Sequence, residues 1–258
     1  MRNKPRLDQQ KVLITGGAGG MGKAAAVMFA EQGAELAIID RDLVAGTQVV
    51  ESIRAQGGKA NFFQADVGNA EQLIAAIDAA TEALGRIDAL FNHAGTIVVK
   101  PLHETSVEEY DDLMAINARS AFIACRAVLP GMLARGKGSI VITSSIGGEK
   151  GFALESVYCM TKGAVLQLAR SISAEYRDQG IRCNAICPGF VRTAHGLREL
   201  DQLDSQGQTW EDSGLANTQV RICEAKEAAA AALFLLSDEA SFVNGAALYV
   251  DNGWYSKG

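Results

Sequence analysis

The sequence predicts a doubly wound α/β fold, a parallel sheet with helices on both faces. Three observations carry that prediction. Short apolar runs alternate repeatedly with longer Ala-rich amphipathic stretches. Several of the apolar runs lack polar alternation, as expected for strands buried on both faces of a parallel sheet. A glycine-rich turn, "GGAGGMG", joins the first such run to the first helical stretch.

The runs "KVLIT" (11–15), "ELAIID" (35–40), "KANFFQA" (59–65), "IDALFN" (87–92), "GSIVITS" (138–144), "IRCNAIC" (181–187) and "AALYV" (246–250) read as strands. "GKAAAVMFAEQG" reads as a helix that stops at Gly33. "NAEQLIAAIDAATEALG" opens with Asn69 and Gln72 at capping-box spacing and closes at Gly85. The four prolines are too few for a Pro-rich linker, and no repeat or domain boundary is visible, so one domain is expected over 1–258. The polar stretch 192–222 interrupts the alternation late in the chain. An irregular excursion of that length in a compact domain is usually functional, and residues 194–220 are expected to form a substrate lid.

Composition narrows the function classes. The chain is 258 residues long, 48% hydrophobic and 21% charged, an ordinary soluble globular balance with room for a sizeable core. Its net charge of -6 and the lack of a Lys/Arg run argue against a nucleic-acid partner. Apolar runs are short and interrupted, which argues against a membrane span, and "MRNKPRLDQQ" has no apolar core of a secretory signal. Five cysteines, an odd count, then suggest reduced thiols and a cytoplasmic location. Cys183 and Cys187 have half the spacing of a metal site, but no second Cys/His pair completes it, so no metal is expected.

In the glycine turn two registers fit. Gly17, Gly19 and Gly22 satisfy G-x-G-x-x-G, and Gly16, Gly20 and Gly22 satisfy T-G-x-x-x-G-x-G behind Thr15. Either would let the backbone approach a pyrophosphate at a helix N-terminus, a Rossmann-type dinucleotide site. No G-K-[ST] follows, which disfavours a nucleotide-hydrolysing loop. Eighteen residues past Gly22 the second strand ends in Asp40, where a carboxylate would bind the adenosine ribose hydroxyls and repel a 2′-phosphate. Arg41 reads as a side wall of the adenine pocket or as a solvated residue. Of the five tyrosines only Tyr158 has a lysine four residues downstream, Lys162, on the same helix face.

Further signals follow in order: "ADV" (65–67), "NHAG" (92–95), "IN" (116–117), "ITSS" (142–145), "YCMTK" (158–162), "PGFVRT" (188–193) and "YVDNG" (249–253). Together they resemble the compact single-domain branch of the short-chain dehydrogenase/reductase family over nearly the whole chain. The resemblance implies that Gly16, Gly20, Met21 and Gly22 line the pyrophosphate, that Asp40 selects NAD, and that Asp66 and Val67 flank adenine. It implies that Asn92, Ala94 and Gly95 line the cofactor ribose. Pro188 and Gly189 would shape the nicotinamide wall, with Val191 (through backbone) and Thr193 (through its hydroxyl) on the carboxamide. Asn117, Ser145, Tyr158 and Lys162 look like the catalytic set, Ser145 being preferred to Ser144 because it lies thirteen residues before Tyr158. His93 replaces the common second Asn and is read as a structural hydrogen-bonder. In "DNG", Asn252 would take a left-handed turn.

Alcohol oxidation requires a proton to leave oxygen while a hydride leaves carbon. A free tyrosine, with a pKa of about 10, is a poor base at neutral pH, and Lys162 one turn away is expected to favour its phenolate. Ser145 would bond the substrate oxygen, and Asn117, in a locally unwound helix, would anchor a proton-carrying water. The expected activity is hydride transfer between NAD(H) and a secondary alcohol or ketone. The substrate is expected to be small, polar and hydroxylated, such as a polyol, sugar or hydroxy acid, because Glu149, Lys150, Glu155, His195, Arg198, Glu199, Asp201 and Trp210 fall in the two wall segments. The competing readings are an NADPH-dependent ketoacyl-type or cyclic/steroid ketone reductase, and a non-catalytic dinucleotide sensor. The family resemblance also implies a homo-oligomer, a tetramer.

Overall fold

The structure is a computed structural model and describes residues 5–208 and 217–257. The strands are β1 (Lys11–Thr15), β2 (Glu35–Asp40), β3 (Lys59–Gln64), β4 (Ala89–Asn92), β5 (Gly138–Thr143), β6 (Ile181–Pro188), the short pair β7 (Val191–Arg192) and β8 (Cys223–Glu224), and β9 (Ala247–Val250). The main sheet has the order β3-β2-β1-β4-β5-β6-β9, and every neighbouring pair is parallel. These seven strands are the seven apolar runs of the sequence, with ends shifted by one or two residues. The chain winds outward from β1 in one direction to β3 and then returns to place β4 on β1's other side. Ligands bind in the crevice at the strand ends beside such a reversal.

The helices are α1 (Gly20–Glu31), α2 (Leu43–Ala55), α3 (Ala70–Leu84), α4 (Val107–Leu113), α5 (Ser120–Arg135), α6 (Ser156–Tyr176), α7 (Ala194–Ser205) and α8 (Ala225–Leu236). Apolar residues on both faces of each strand follow from the two cores they serve. In β1, Leu13 packs with Leu73, Ile77, Val128 and Leu166 from α3, α5 and α6. Val12 and Ile14 pack with Phe29, Val49 and Leu233 from α1, α2 and α8. Ala25 and Ala26 of α1 and Ala228, Ala229 and Ala232 of α8 are all fully buried, and these small side chains let the two helices pack closely.

Local chemistry sets the helix ends. Asn69 caps α3 by accepting from Gln72 N at 3.1 Å, and Gly85 closes it at φ +75. Ser106 and Glu109 form a complete capping box at the start of α4. Between α4 and α5 the helix widens into π turns over Met114–Arg119, the segment that carries Asn117. Val107–Arg135 as a whole is long and apolar enough to span a membrane by length and composition; half of its most apolar window is buried in this fold, and it packs against α3 and α6.

The stretch expected to be irregular has more order than its composition suggests. β7 and β8 pair in parallel and bracket it, and α7 fills its first half. Thr193 caps α7 by accepting from Gly196 N at 3.0 Å. Trp210 and the middle of the expected lid lie outside the described residues. Asn252 takes φ +50, as its place in "DNG" suggested.

Candidate active site

The glycine turn distinguishes its two registers. A Cβ at Gly22 would stand 2.0 Å from Gly16 O, one at Gly16 2.8 Å from Ala94 Cα, and one at Gly20 3.1 Å from Thr193 Cγ2. Gly16 and Gly20 also have φ of +72 and +52. Gly19 has nothing within 4 Å, and its extended backbone suits any residue. The required glycines are therefore 16, 20 and 22, while Gly17 is held by packing on Ile38. The turn leaves the start of α1 open at the strand ends, a backbone cradle suited to a pyrophosphate.

Two cavities flank this turn. The smaller, about 100 Å³, is lined by Gly16, Asp40, Arg41, Asp66, Val67, Ala94 and Gly95. Asp40 is oriented there by Ala18 N at 3.0 Å and Asp42 N at 3.1 Å, one on each carboxylate oxygen. The larger, about 310 Å³, holds Gly20, Met21, Gly95, Ser145, Tyr158, Lys162, Pro188, Gly189, Val191 and Thr193. Gly95 faces both, so the two form adjoining halves of one crevice.

Three expected site residues line neither cavity. Gly22 lies beneath the turn. Asn92 faces inward: its Oδ1 accepts from Thr15 Oγ1 at 3.0 Å and its amide donates to Ala121 O at 3.1 Å, tying β1, β4 and α5 together. Asn117 donates to Thr96 O and to Thr161 Oγ1, each at 2.9 Å, and accepts from Thr96 N at 2.8 Å. It locks the loop after β4 onto α6, directly behind Lys162 and Gly95.

Ser144 turns into the scaffold and donates to Lys162 O at 2.8 Å, leaving Ser145 at the cavity. Ser145 Oγ accepts from Gly147 N at 3.1 Å and is hydrogen-bonded with Tyr158. Lys162 Nζ donates to Thr143 O at 3.0 Å and lies 5.5 Å from the centre of the Tyr158 ring. Burial lowers the Lys162 pKa to about 8. Burial also drives the Tyr158 pKa well above its ordinary value; Glu199 and Glu155 add to the rise, and the Ser145 hydrogen bond opposes it. Lys162 donates to a carbonyl, and burial of the phenol favours its protonated form.

His93 is structural. Its ring stacks on Phe91, its Nδ1 lies 3.2 Å from Thr143 Oγ1, and burial drops its pKa to about 3. The polar wall residues divide. Glu149 is taken by Arg170 and Tyr249, Lys150 lies over Tyr255, and Arg198 is exposed, with its guanidinium 3.5 Å from Thr96 Oγ1. Of the described residues in the set, only Glu155, His195 and Glu199 line the larger cavity, beside Phe152, Phe190 and Trp254. Arg198 does not line the cavity, although its charge acts on Glu199 and His195, which do. Sequence reasoning also missed Gln219, which is 1% exposed and clamps both Phe190 N (2.9 Å) and Phe190 O (2.8 Å). A Cβ at Gly189 would meet Gln219 Oε1 at 2.2 Å, which is why the "PG" turn needs its glycine. No group of three or more His, Cys, Asp or Glu positioned to hold a metal occurs among the described residues.

A parallel sheet with a glycine cradle at its reversal, and a Ser-Tyr-Lys set in the adjoining cavity with its Tyr and Lys buried, define an oxidoreductase that uses a nicotinamide dinucleotide on alcohols or ketones. Comparison with known proteins agrees. Residues 16–255 match the family described as enoyl-(acyl carrier protein) reductase. The chain is 38% identical to a cyclopentanol dehydrogenase of Comamonas testosteroni, covering 96% of this chain and 98% of that one. It is 36% identical to 2-(S)-hydroxypropyl-CoM dehydrogenase 3 of Xanthobacter autotrophicus, covering 96% and 97%. The crystal structure of a levodione reductase superposes with a TM-score of 0.93 at 35% identity, over 98% of this chain and all of that one. The chain belongs to the short-chain dehydrogenase/reductase family.

Proposed function

We propose that this protein transfers a hydride between NAD(H) and a small, hydroxyl-bearing secondary alcohol or its ketone, with residues 1–258 working as one catalytic unit and 194–220 as its lid. The observation that carries the reading is the shared crevice, with Asp40 in the adenosine half and Ser145, Tyr158 and Lys162 in the half beyond Gly20 and Thr193. A carboxylate already oriented by two amides accepts ribose hydroxyls well and repels a 2′-phosphate. Exposed Arg41 on the same cavity favours a second reading, an NADP-linked ketone reductase.

When bound, the oxidised nicotinamide supplies a hydride acceptor and a positive charge beside the phenol. Tyr158 holds or takes the hydroxyl proton, Ser145 donates to the substrate oxygen, and Lys162 keeps the phenol end of α6 electropositive. Asn117, through Thr96 and Thr161, fixes the floor on which Lys162 stands. α7 covers Tyr158 with Leu203, which packs with Phe190 and Ile97 and restricts water at the reacting carbon. Val107, Tyr110 and Phe122 are exposed on α4 and α5, an apolar surface that suits the homotetramer implied by the family. The reading is tested by following NADH and NADPH absorbance side by side over polyols, cyclic alcohols, hydroxy acids and sterols. Turnover with NAD on the small hydroxylated set supports it; NADP-preferred turnover moves the assignment to the second reading.

A further inference from the structure

Glu155 stands at the N-cap of α6, yet its side chain makes no capping bond. It is 5% exposed, lines the larger cavity, and has no side-chain hydrogen bond among the described residues. A largely buried carboxyl that opens onto a cavity with no protein donor keeps its hydrogen-bonding capacity for whatever fills that cavity. Glu199 projects from α7 into the same cavity with its side chain 13% exposed; the His195 ring lies beside it with Nε2 at 3.9 Å, and burial holds that ring neutral near pH 7. Both carboxyls act on Tyr158 and on each other, so they converge on the phenol side of the cavity. The remaining wall there is aromatic: Trp254 packs 5.4 Å from Phe152 and 5.3 Å from Phe190, centre to centre.

We infer that Glu155 and Glu199 form a subsite for a second hydroxyl of the substrate, which makes the preferred substrate a small neutral diol with an apolar body. The inference rests on the dehydrogenase reading and adds what that reading leaves open. Burial raises Glu155 to about 7 and Glu199 to about 8, with Glu155 adding to the rise at Glu199, so near neutrality the pair retains a proton and can both donate to and accept from an alcohol. A carboxylate or sulfonate on the substrate would add a third acidic group to a wall that, among the described residues, holds one cation, Lys162, with Arg198 acting on Glu199 from outside the lining. An ammonium would be opposed by Lys162, whose charge is felt at Glu199 and His195. The three aromatic rings suit a short carbon chain or a small ring rather than a fully hydroxylated sugar.

The test compares kcat/KM at pH 7 with NAD for 1,2- and 1,3-diols of cyclopentane and cyclohexane, the matching mono-alcohols, and the matching hydroxy acids and amino alcohols. A diol advantage of about tenfold or more is expected, the scale of one buried hydrogen bond. Glu155→Met and Glu199→Met should each reduce that ratio to about threefold or less, while Glu155→Gln and Glu199→Gln, which keep a donor and an acceptor, should retain most of it. Equal rates for diols and mono-alcohols, faster turnover of the hydroxy acid or amino alcohol, or Met variants that keep the full ratio would overturn the inference. Calorimetric binding to the cofactor-loaded Tyr158→Phe protein needs neither turnover nor substitution of the acidic pair, and the same order of affinities is expected there. Diols binding more tightly without being oxidised by either cofactor would leave the subsite standing and remove the dehydrogenase reading. Diols binding no better than mono-alcohols would remove the subsite whatever the activity.

Discussion

Replacing Gly22 with alanine tests which glycines form the cofactor cradle. The new methyl carbon would stand 2.0 Å from Gly16 O and 2.9 Å from Gly16 C, and 2.9 Å from His93 Cδ2. Relief requires backbone movement of more than about 1 Å, because ordinary carbon–oxygen contact begins beyond about 3 Å. Gly16 cannot retreat freely, since its N–H is bonded to Ile39 O at 2.8 Å. Overpacking of this kind costs roughly 1–3 kcal/mol. At about 2–4 °C per kcal/mol for a chain of this size, the melting temperature should fall by about 2–12 °C. NAD affinity should fall by about tenfold or more, because the displaced carbonyl and amide belong to the anion-binding turn. Gly19→Ala is the matched control: its Cβ meets nothing within 4 Å at an extended backbone, so stability should change by less than about 1 kcal/mol. Thermal unfolding and calorimetric titration of NAD read both effects. A Gly22→Ala protein with parental melting and affinity, or a Gly19→Ala protein damaged as badly, would refute the reasoning.

Asp40→Ala removes the ribose acceptor and the repulsion of a 2′-phosphate together; the ratio of NAD to NADP efficiency should fall by about tenfold or more, and a parent that already accepts both equally would show that Asp40 is not the selector. Asn117→Ala strands Thr96 N and Thr96 O, bonded to it at 2.8 and 2.9 Å, and removes a donor from Thr161 Oγ1, which keeps its bond to Tyr158 O. At about 1–3 kcal/mol for each group left unsatisfied, a loss of about 2 kcal/mol or more is expected in denaturant titration, and a loss under about 1 kcal/mol would contradict the clamp. The acidic pair sets a pH trend. Glu155 and Glu199 keep their protons up to about 7 and about 8, whereas in the unfolded chain they lose them near the ordinary carboxyl value, so the folded form holds more protons in between. Their contribution makes stability fall as pH rises from about 5 to about 8; Lys162, Arg198, His195 and Tyr158 face the pair and are common to parent and variant. Glu199→Gln should flatten the slope, and an unchanged slope in denaturation at pH 5, 6.5 and 8 would remove the assigned burial.

The sheet was legible because each strand's run is bounded by turn residues, and burial on both faces leaves an apolar run that no helix of that length would show. Caps such as Asn69 and Gly85 were legible because their chemistry is local. The pairing of β7 with β8 was not: two residues on each side, thirty-odd positions apart, carry no periodic signal. Gln219 escaped for the same reason, since a polar residue in a polar stretch reads as solvated until Phe190 is seen folded against it. In the site, the sequence named the tyrosine and lysine but not the carbonyl that the lysine reaches. One turn of helix brings Lys162 over the Tyr158 ring, but Thr143 O takes its ammonium. The acidic pair was visible only as two of many charges; the fold separates it from Glu149 and Lys150, which are engaged by Arg170, Tyr249 and Tyr255.

The most direct test of the central claim is Tyr158→Phe assayed with NAD on the best alcohol found by the panel. The ring and its packing are kept and only the hydroxyl that carries the proton is lost. Turnover should fall by at least about 10²-fold, the lower end of general acid–base contributions, with NAD affinity within about threefold of the parent, since the cradle of Gly16, Gly20 and Gly22 is untouched. Turnover within a few-fold of the parent would contradict the account.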